Sequence, residues 1–222
     1  MSVPEVGASG EYGVGGWTGD PAYHERVRPA ARDGRLDTLL AWVDLETTGL
    51  ATEAEILEVA LVVTDTELRE LAVWRCVRTP TPEGYQQMLD VPFVLDMHTH
   101  TRLLAEIGEP VPGGSPDIGW LDHHLATALE SVRDSVGHSG TVCYLAGAGV
   151  ASFDRRLIER DFPRFAKMLH YSAVDMSIVS RAMEFLLGVR LRPGFNPVPH
   201  RAMSDVRAAI GLAGRFKEWG RQ

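Results

Sequence analysis

The feature that most constrains the fold is a short apolar run, residues 41–50, which carries two carboxylates and ends in a glycine turn. Within it, Asp44 and Glu46 alternate with Val43 and Leu45. Because alternate side chains of a β-strand share a face, the two acids are expected on one side of a strand. Neighbouring carboxylates repel each other and lose hydration on burial, and a divalent cation relieves both effects. The run therefore predicts a metal-binding strand face, the alternative being a solvated strand edge with two exposed acids.

The composition indicates one folded domain preceded by an extension. The chain has 222 residues, of which 45% are hydrophobic and 23% charged, as in ordinary globular domains. Residues 1–35 are rich in glycine, alanine and proline and lack periodicity, which predicts a flexible N-terminal extension. The domain itself is expected over residues 36–222.

Two further properties bear on the compartment. No apolar run is long enough to span a membrane, and the N-terminus lacks a basic segment followed by an apolar one. The two cysteines, Cys76 and Cys143, each lie in an apolar run, which favours free buried thiols. We therefore expect a cytoplasmic protein without membrane contact.

The net charge restricts the nucleic acids that the chain can bind. A formal charge of −8 argues against a broad surface that grips phosphates. A protein that holds a few nucleotides at a metal centre can instead obtain local positive charge from the metal ions. A short oligonucleotide is therefore favoured over long duplex DNA.

The first half of the domain is predicted to form an antiparallel meander. Polar residues 64–67 form a plausible tight connection between two of its strands. Glu58 interrupts the second apolar run. A solvated edge position is its favoured interpretation, and the alternative is an acid that contacts the metal ligands without binding the metal itself. Three apolar runs predict the strands: residues 39–45, 56–65 and 68–77.

A fourth strand is predicted over residues 141–146, followed by a helix that begins at 151 or 152 and continues to 160. Asp154 lies in the first turn of that helix, where the helix dipole favours an acid, so a structural role stands beside a functional one. The glycine-rich residues 147–149 match no phosphate-binding pattern.

The C-terminal part places a histidine just before a helix. The loop 192–199 leads to His200, and Asp205 follows within the first turns of the last helix. Three elements are predicted here: an extended run over 171–175 and helices over 176–187 and 202–218.

The acids and the histidine stand in a fixed order along these elements. That order resembles the DEDD exonuclease superfamily, in its histidine subgroup (DEDDh), and the surrounding residues resemble its oligoribonuclease branch. The resemblance covers about residues 39–216. Five motifs carry it: Asp44–Leu50, Met97–Thr99, Phe153–Leu157, His170–Asp175 and His200–Asp205.

The resemblance implies a fold and an activity. The expected fold is α/β and ribonuclease H-like, with helices flanking a mixed central sheet whose first three strands are antiparallel. The expected activity is 3′–5′ exonucleolytic hydrolysis of short single-stranded RNA to nucleoside 5′-monophosphates. Two divalent ions, Mg²⁺ or Mn²⁺, are the implied cofactors.

The resemblance also implies the role of each site residue. Asp44 would bridge the two ions, Glu46 and Asp205 would complete one of them, and Asp154 would support the other. His200 would act as the general base, because histidine is the side chain type best suited to proton transfer near neutral pH.

Three residues are implied in substrate binding. Backbone amides near Thr47 would hold the 3′ end, Leu50 would wedge between terminal bases, and His98 would contact the substrate. Whether the partner is RNA or DNA stays open, as does a homodimer. The alternatives are a DNA-directed 3′–5′ exonuclease of proofreading or repair type, and a non-catalytic nucleic-acid-binding module.

Overall fold

A computed structural model describes residues 37–109, 113–136, 140–191 and 200–221. The predicted N-terminal extension, residues 1–35, and the loop 192–199 lie outside these ranges. None of the helices within the ranges is long and apolar enough to cross a membrane.

Five strands form one mixed sheet in the order β3-β2-β1-β4-β5. β1 pairs antiparallel with β2, and β2 with β3, whereas β1 and β4, and β4 and β5, run parallel. The predicted antiparallel meander and mixed sheet are confirmed. The strands are β1 Thr38–Thr47, β2 Ile56–Thr64, β3 Glu70–Val77, β4 Val142–Gly147 and β5 Leu169–Asp175.

The described ranges contain eight helices. Three short helices follow β3, one long helix precedes β4, two helices lie between β4 and β5, and two follow β5. They are α1 Pro82–Asp90, α2 Pro92–His100, α3 Leu103–Ile107, α4 Ile118–Val136, α5 Asp154–Asp161, α6 Pro163–Ala166, α7 Met176–Leu187 and α8 Ala202–Trp219.

Helices cover both faces of the sheet, and β1 lies at its centre. Val43 and Leu45 pack with residues of α4 and α5 on one face. Trp42 packs with residues of α7 and α8 on the other face. Because side chains alternate along a strand, Asp44 and Glu46 project toward the α8 side, as Trp42 does.

The expectation of a solvated edge position for Glu58 is wrong. β2 lies between β1 and β3, and Glu58 stands directly opposite Glu46 in the register. Its side chain is buried, with 1% of the residue exposed, and it forms ion pairs with Arg75 and Arg201. A charge on an internal strand cannot reach water, and it is tolerated here because these two cations pair with it.

The two cysteines agree with the sequence analysis. Cys76 and Cys143 are free and buried. Burial raises the pKa of each thiol to about 12, so both stay protonated at neutral pH.

A buried carboxylate on the face away from Asp44 gives a test of the fold. Asp122 on α4 accepts hydrogen bonds from the backbone N–H groups of Arg164 and Phe165 at the start of α6. Asp122→Asn should lower the free energy of unfolding by about 1–3 kcal/mol, because the amide carries no charge and has one acceptor oxygen where the carboxylate has two. Urea unfolding measures this change.

The same substitution at exposed Asp134, also on α4, is the control. It should change the unfolding free energy by no more than about 0.5 kcal/mol. Equal effects at the two positions would show that the cap of α6 does not contribute to stability.

Candidate active site

Three carboxylates meet where β1 and α8 pack together. β1 contributes Asp44 and Glu46, and the first turn of α8 contributes Asp205. One carboxylate oxygen of each residue lies within 4.8 Å of those of the other two. The strand alternation and the crossing of α8 over the same sheet face thus bring together residues that are about 160 positions apart in sequence.

This arrangement makes ionisation of the acids costly. Burial, followed by repulsion from Asp154, raises the pKa of Asp44 well above its usual value. Burial and then Asp205 raise the pKa of Glu46 to about 8. Burial and then the charge of Glu58 raise the pKa of Asp205 to about 7. Without a cation, the cluster therefore holds protons near neutral pH.

The donor set fits a hard divalent cation. Oδ1 of Asp205 is buried and has no hydrogen-bond partner among the residues described. Carboxylate oxygens are the ligands that Mg²⁺ and Mn²⁺ prefer. A cation bound by Asp44, Glu46 and Asp205 would satisfy this oxygen and remove the mutual repulsion.

Asp154, the fourth predicted acid, lies beside this group but not within it. It is the first residue of α5 and is buried, and its Oδ1 accepts a hydrogen bond from the N–H of Leu45 at 3.1 Å. Burial raises the pKa of Asp154 to about 7. Because Leu45 lies between Asp44 and Glu46, this bond attaches Asp154 to the acidic end of β1.

The loop before Asp154 is held by a carboxylate that the sequence analysis did not assign. Asp175, at the end of β5, accepts hydrogen bonds from the N–H groups of Gly149 and Ala151, each at 3.0 Å. It also caps α7 by accepting from the N–H of Ser177 at 2.9 Å. These bonds hold the chain in a turn, so α5 begins at Asp154 itself, later than predicted.

The glycines of this loop have structural roles. A Cβ on Gly147 would lie 2.7 Å from the carbonyl oxygen of Val43, so β4 can approach β1 here only as glycine. Gly149 has φ +88°, a conformation that is strained for other residues. The glycine run is therefore explained by packing and by the turn.

His98 is placed beneath the end of β1. Its ring is fully buried, and its Nε2–H donates to the carbonyl oxygen of Thr47 at 2.8 Å. Nδ1 lies 4.0 Å from a carboxylate oxygen of Glu46. Burial lowers the pKa of His98, which favours the neutral ring. In this structure His98 supports Thr47, and contact with substrate stays a prediction.

The turn after β1 exposes an apolar side chain four residues after Glu46. Thr47 is buried, and its hydroxyl donates to the carbonyl oxygen of Gly49 at 2.7 Å. The N–H of Thr48 donates to the carbonyl oxygen of Glu55 at 2.9 Å, which closes the turn. Leu50 follows with 80% of its surface exposed, so its side chain is free to contact a ligand.

His200 stands at the entrance to α8. It is exposed, and its φ of 36° lies in the left-handed region that non-glycine residues rarely adopt. The following residue, Arg201, is the N-cap of α8 and is extended. The structure therefore places His200 at the N-terminal end of α8, the helix that carries Asp205.

The comparisons with known proteins agree with this geometry. No protein-family model matches the chain. Among curated proteins, the oligoribonuclease of Mycobacterium sp. (strain KMS) is 32% identical over 176 residues, covering 77% of this chain and 76% of that protein. The oligoribonuclease of Tropheryma whipplei (strain Twist) is 32% identical over 188 residues, covering 81% of this chain and 91% of that protein.

Solved structures show the same fold. A product-bound exonuclease I aligns with a TM-score of 0.57 and 16% identity, over 82% of this chain and 44% of that one. Escherichia coli exonuclease I in complex with a dT13 oligonucleotide aligns with a TM-score of 0.52 and 16% identity. This chain thus spans less than half of the exonuclease I chains, and the predicted ribonuclease H-like fold is confirmed. With 32% identity over most of both sequences, the chain belongs to the oligoribonuclease family.

Proposed function

We propose that this protein is a metal-dependent 3′–5′ exoribonuclease that hydrolyses short single-stranded oligoribonucleotides to nucleoside 5′-monophosphates. The observation that carries the proposal is the meeting of Asp44, Glu46 and Asp205, with buried Asp154 beside them, in a chain of the oligoribonuclease family. The net charge of −8 fits a short substrate, because a long one gains affinity from a basic surface.

The four acids are the proposed ligands of two cations. We propose that Asp44 would hold both ions, that Glu46 and Asp205 would complete the ligands of one, and that Asp154 would support the other. When bound, two Mg²⁺ or Mn²⁺ ions neutralise charge on the scissile phosphate and acidify a water molecule. The proposed part of the protein is to hold the four carboxylates in place, through the buried strand β1, the loop before α5 that Asp175 holds, and the hydrogen bond of Glu58 to the start of α8.

His200 is the proposed general base. It is exposed at the entrance to α8, so its ring can approach a water molecule on the solvent side of the acids. The imidazole of a histidine can accept a proton from such a water molecule as general base.

The turn after β1 is the proposed substrate-binding edge. Exposed Leu50 would stack against a terminal base, while the backbone near Thr47 holds the 3′ end. His98 would act through Thr47, because its Nε2–H is bonded to that carbonyl.

A DNA-directed exonuclease remains the second candidate. It is favoured by one observation, the likeness in fold to exonuclease I bound to a dT13 oligonucleotide. Contacts to the ribose 2′-hydroxyl decide between the two. Hydrolysis of matched RNA and DNA oligomers separates them, and no hydrolysis of either would indicate a non-catalytic module.

Compartment and assembly are also proposals. Free buried thiols at Cys76 and Cys143 fit a reducing cytoplasm. α7 exposes Ile178, Phe185 and Leu186, an apolar surface on which a second copy would pack to form a homodimer. Sedimentation velocity measures the oligomeric state.

The metal requirement is tested with Asp44→Asn, which removes one charge and keeps the shape of the side chain. Hydrolysis of a short RNA should be lost, because the proposed bridging ligand is gone. Wild-type hydrolysis should stop in EDTA and return when Mg²⁺ or Mn²⁺ is added. Asp122→Asn, on the other face of the sheet, is the matched control and should retain hydrolysis. Undiminished wild-type hydrolysis in excess EDTA would contradict the proposal.

The raised pKa values predict how stability without metal depends on pH. Glu46 titrates at about 8 and Asp154 and Asp205 at about 7 in the folded protein, whereas in the unfolded chain they titrate near 4. The folded state thus binds more protons, and its stability falls as pH rises from about 5 to about 8. The melting temperature in EDTA should fall over this range, and saturating Mn²⁺ should reduce the fall.

Glu46→Gln is the control for this pH dependence, because it removes a group whose pKa burial and Asp205 raise to about 8. The fall in melting temperature between pH 7 and pH 8 should be smaller in this variant. A wild-type melting temperature in EDTA that rises over the same range would show that the acids do not repel one another as described.

The role of His200 is tested with His200→Ala. Turnover should fall by roughly 10²–10⁴, the usual contribution of a positioned general base. Affinity for Mn²⁺, measured by calorimetry, should stay within about twofold, because the proposed ligands are carboxylates. A large loss of Mn²⁺ affinity would instead make His200 a ligand or a structural residue.

A further inference from the structure

The side chain of Arg201, the N-cap residue of α8, forms hydrogen bonds with residues of other elements. Its Nε donates to Oε2 of Glu58 on β2 at 2.9 Å, and its Nη1 donates to the carbonyl oxygen of Thr101 at 3.2 Å. Its Nη2 donates to Glu106 on α3. The guanidinium therefore ties the start of α8 to β2 and to the end of α2 and α3.

Glu58 completes the anchor from the other side. Its Oε2 also accepts a hydrogen bond from the N–H of Ala202, the first residue of α8, at 3.2 Å. Arg201 itself provides no side-chain cap. A carboxylate from β2 thus satisfies a free N–H at the start of α8, where the helix dipole favours negative charge.

Arg75 and Glu106 extend this contact into a four-residue network. Arg75 on β3 donates from Nε to Glu58, and from Nη1 and Nη2 to Glu106 at 3.0 and 2.8 Å. Two arginines and two glutamates are present, so the formal charges of the network cancel. The network therefore holds α8 without adding net charge beside the acidic cluster.

The position of this anchor matters for the acids. Arg201 follows His200, and its carbonyl oxygen accepts the N–H of Asp205 at 3.0 Å in the first turn of the helix. Glu58, at the other end of the contact, lies opposite Glu46 in the sheet. One side-chain pair thus joins the helix turn that carries Asp205 to the strand next to Asp44 and Glu46.

We infer that Arg201 and Glu58 are positioning residues, which fix the first turn of α8 so that Asp205 reaches the metal-binding acids of β1 and His200 faces the site. This rests on the proposed function. Some residues do not bind the metal but orient the residues that do. Altering them commonly changes metal affinity or activity by about 10- to 100-fold.

Arg201→Lys tests this inference, because lysine keeps the charge but cannot make the forked contacts to Glu58, Thr101 and Glu106. Mn²⁺ affinity, measured by calorimetry on the full chain, should fall by about 10-fold or more. Turnover of a short RNA should fall with it, whereas KM should change little, since no substrate contact is removed.

Arg75→Lys is the matched comparison. It makes the same change in the same network, but from β3 and without contact to α8. It should lower the melting temperature about as much as Arg201→Lys does. It should leave Mn²⁺ affinity within about threefold of wild type. Equal losses of Mn²⁺ affinity in the two variants would overturn the inference, because the network would then act only on general stability.

Ala202→Pro tests the position of α8 without altering any charge, and keeps the inference testable where Arg201→Lys does not fold. Proline is well accepted at the first helical position, and Arg201 already has the extended backbone (φ −132°, ψ 125°) that precedes proline. It removes the N–H that donates to Glu58. Mn²⁺ affinity should fall, and an unchanged affinity in this variant would overturn the positional role.

The wild-type measurements separate this inference from the proposed function. Absence of Mn²⁺ binding and of metal-dependent hydrolysis in wild type would overturn both. Wild-type binding and hydrolysis, with unchanged Mn²⁺ affinity in Arg201→Lys and Ala202→Pro, would overturn the positioning roles alone.

Discussion

The repulsion between buried carboxylates at the end of β1 is the constraint on which the rest of the structure depends. Asp44 and Glu46 share one face of a central strand, and Asp205 is brought against them by α8. Burial and mutual charge raise their pKa values, so the protein without a cation holds protons where a metal would sit. A fold can keep such a cluster only if other interactions hold the strand and the helix together.

In two places a buried carboxylate that accepts backbone N–H groups holds these elements together. Asp175 accepts backbone N–H groups from the loop before Asp154 and from the start of α7. Glu58 accepts the N–H of Ala202 at the start of α8. In both cases a buried carboxylate outside the cluster fixes a segment that carries an acid, which is Asp205 within the cluster or Asp154 beside it. The helices are thereby placed by hydrogen bonds with definite directions, whereas apolar packing alone tolerates sliding.

The sequence predicts the features that depend on local residue patterns. It does not predict the features that depend on contacts between residues distant in sequence. Alternation around Asp44 and Glu46 predicts their common strand face, and three apolar runs with a polar connection over residues 64–67 predict the antiparallel meander. The same local reasoning failed for Glu58, because burial depends on whether a strand lies inside the sheet. Its partner Arg201 is 143 positions away. No spacing rule links residues so far apart, so their contact becomes visible only in the folded chain.

The groups around the cluster leave most of its charge uncompensated. Burial lowers the pKa of His98, which favours a neutral ring beside Glu46. The two arginines of the network are matched by Glu58 and Glu106, so Arg201 offsets only part of the rise in the pKa of Glu46. A lysine or arginine side chain within the cluster would have stabilised the fold but would have competed with a metal ion for the carboxylates. Because the chain places none there among its described residues, stability and cation binding are coupled at this site.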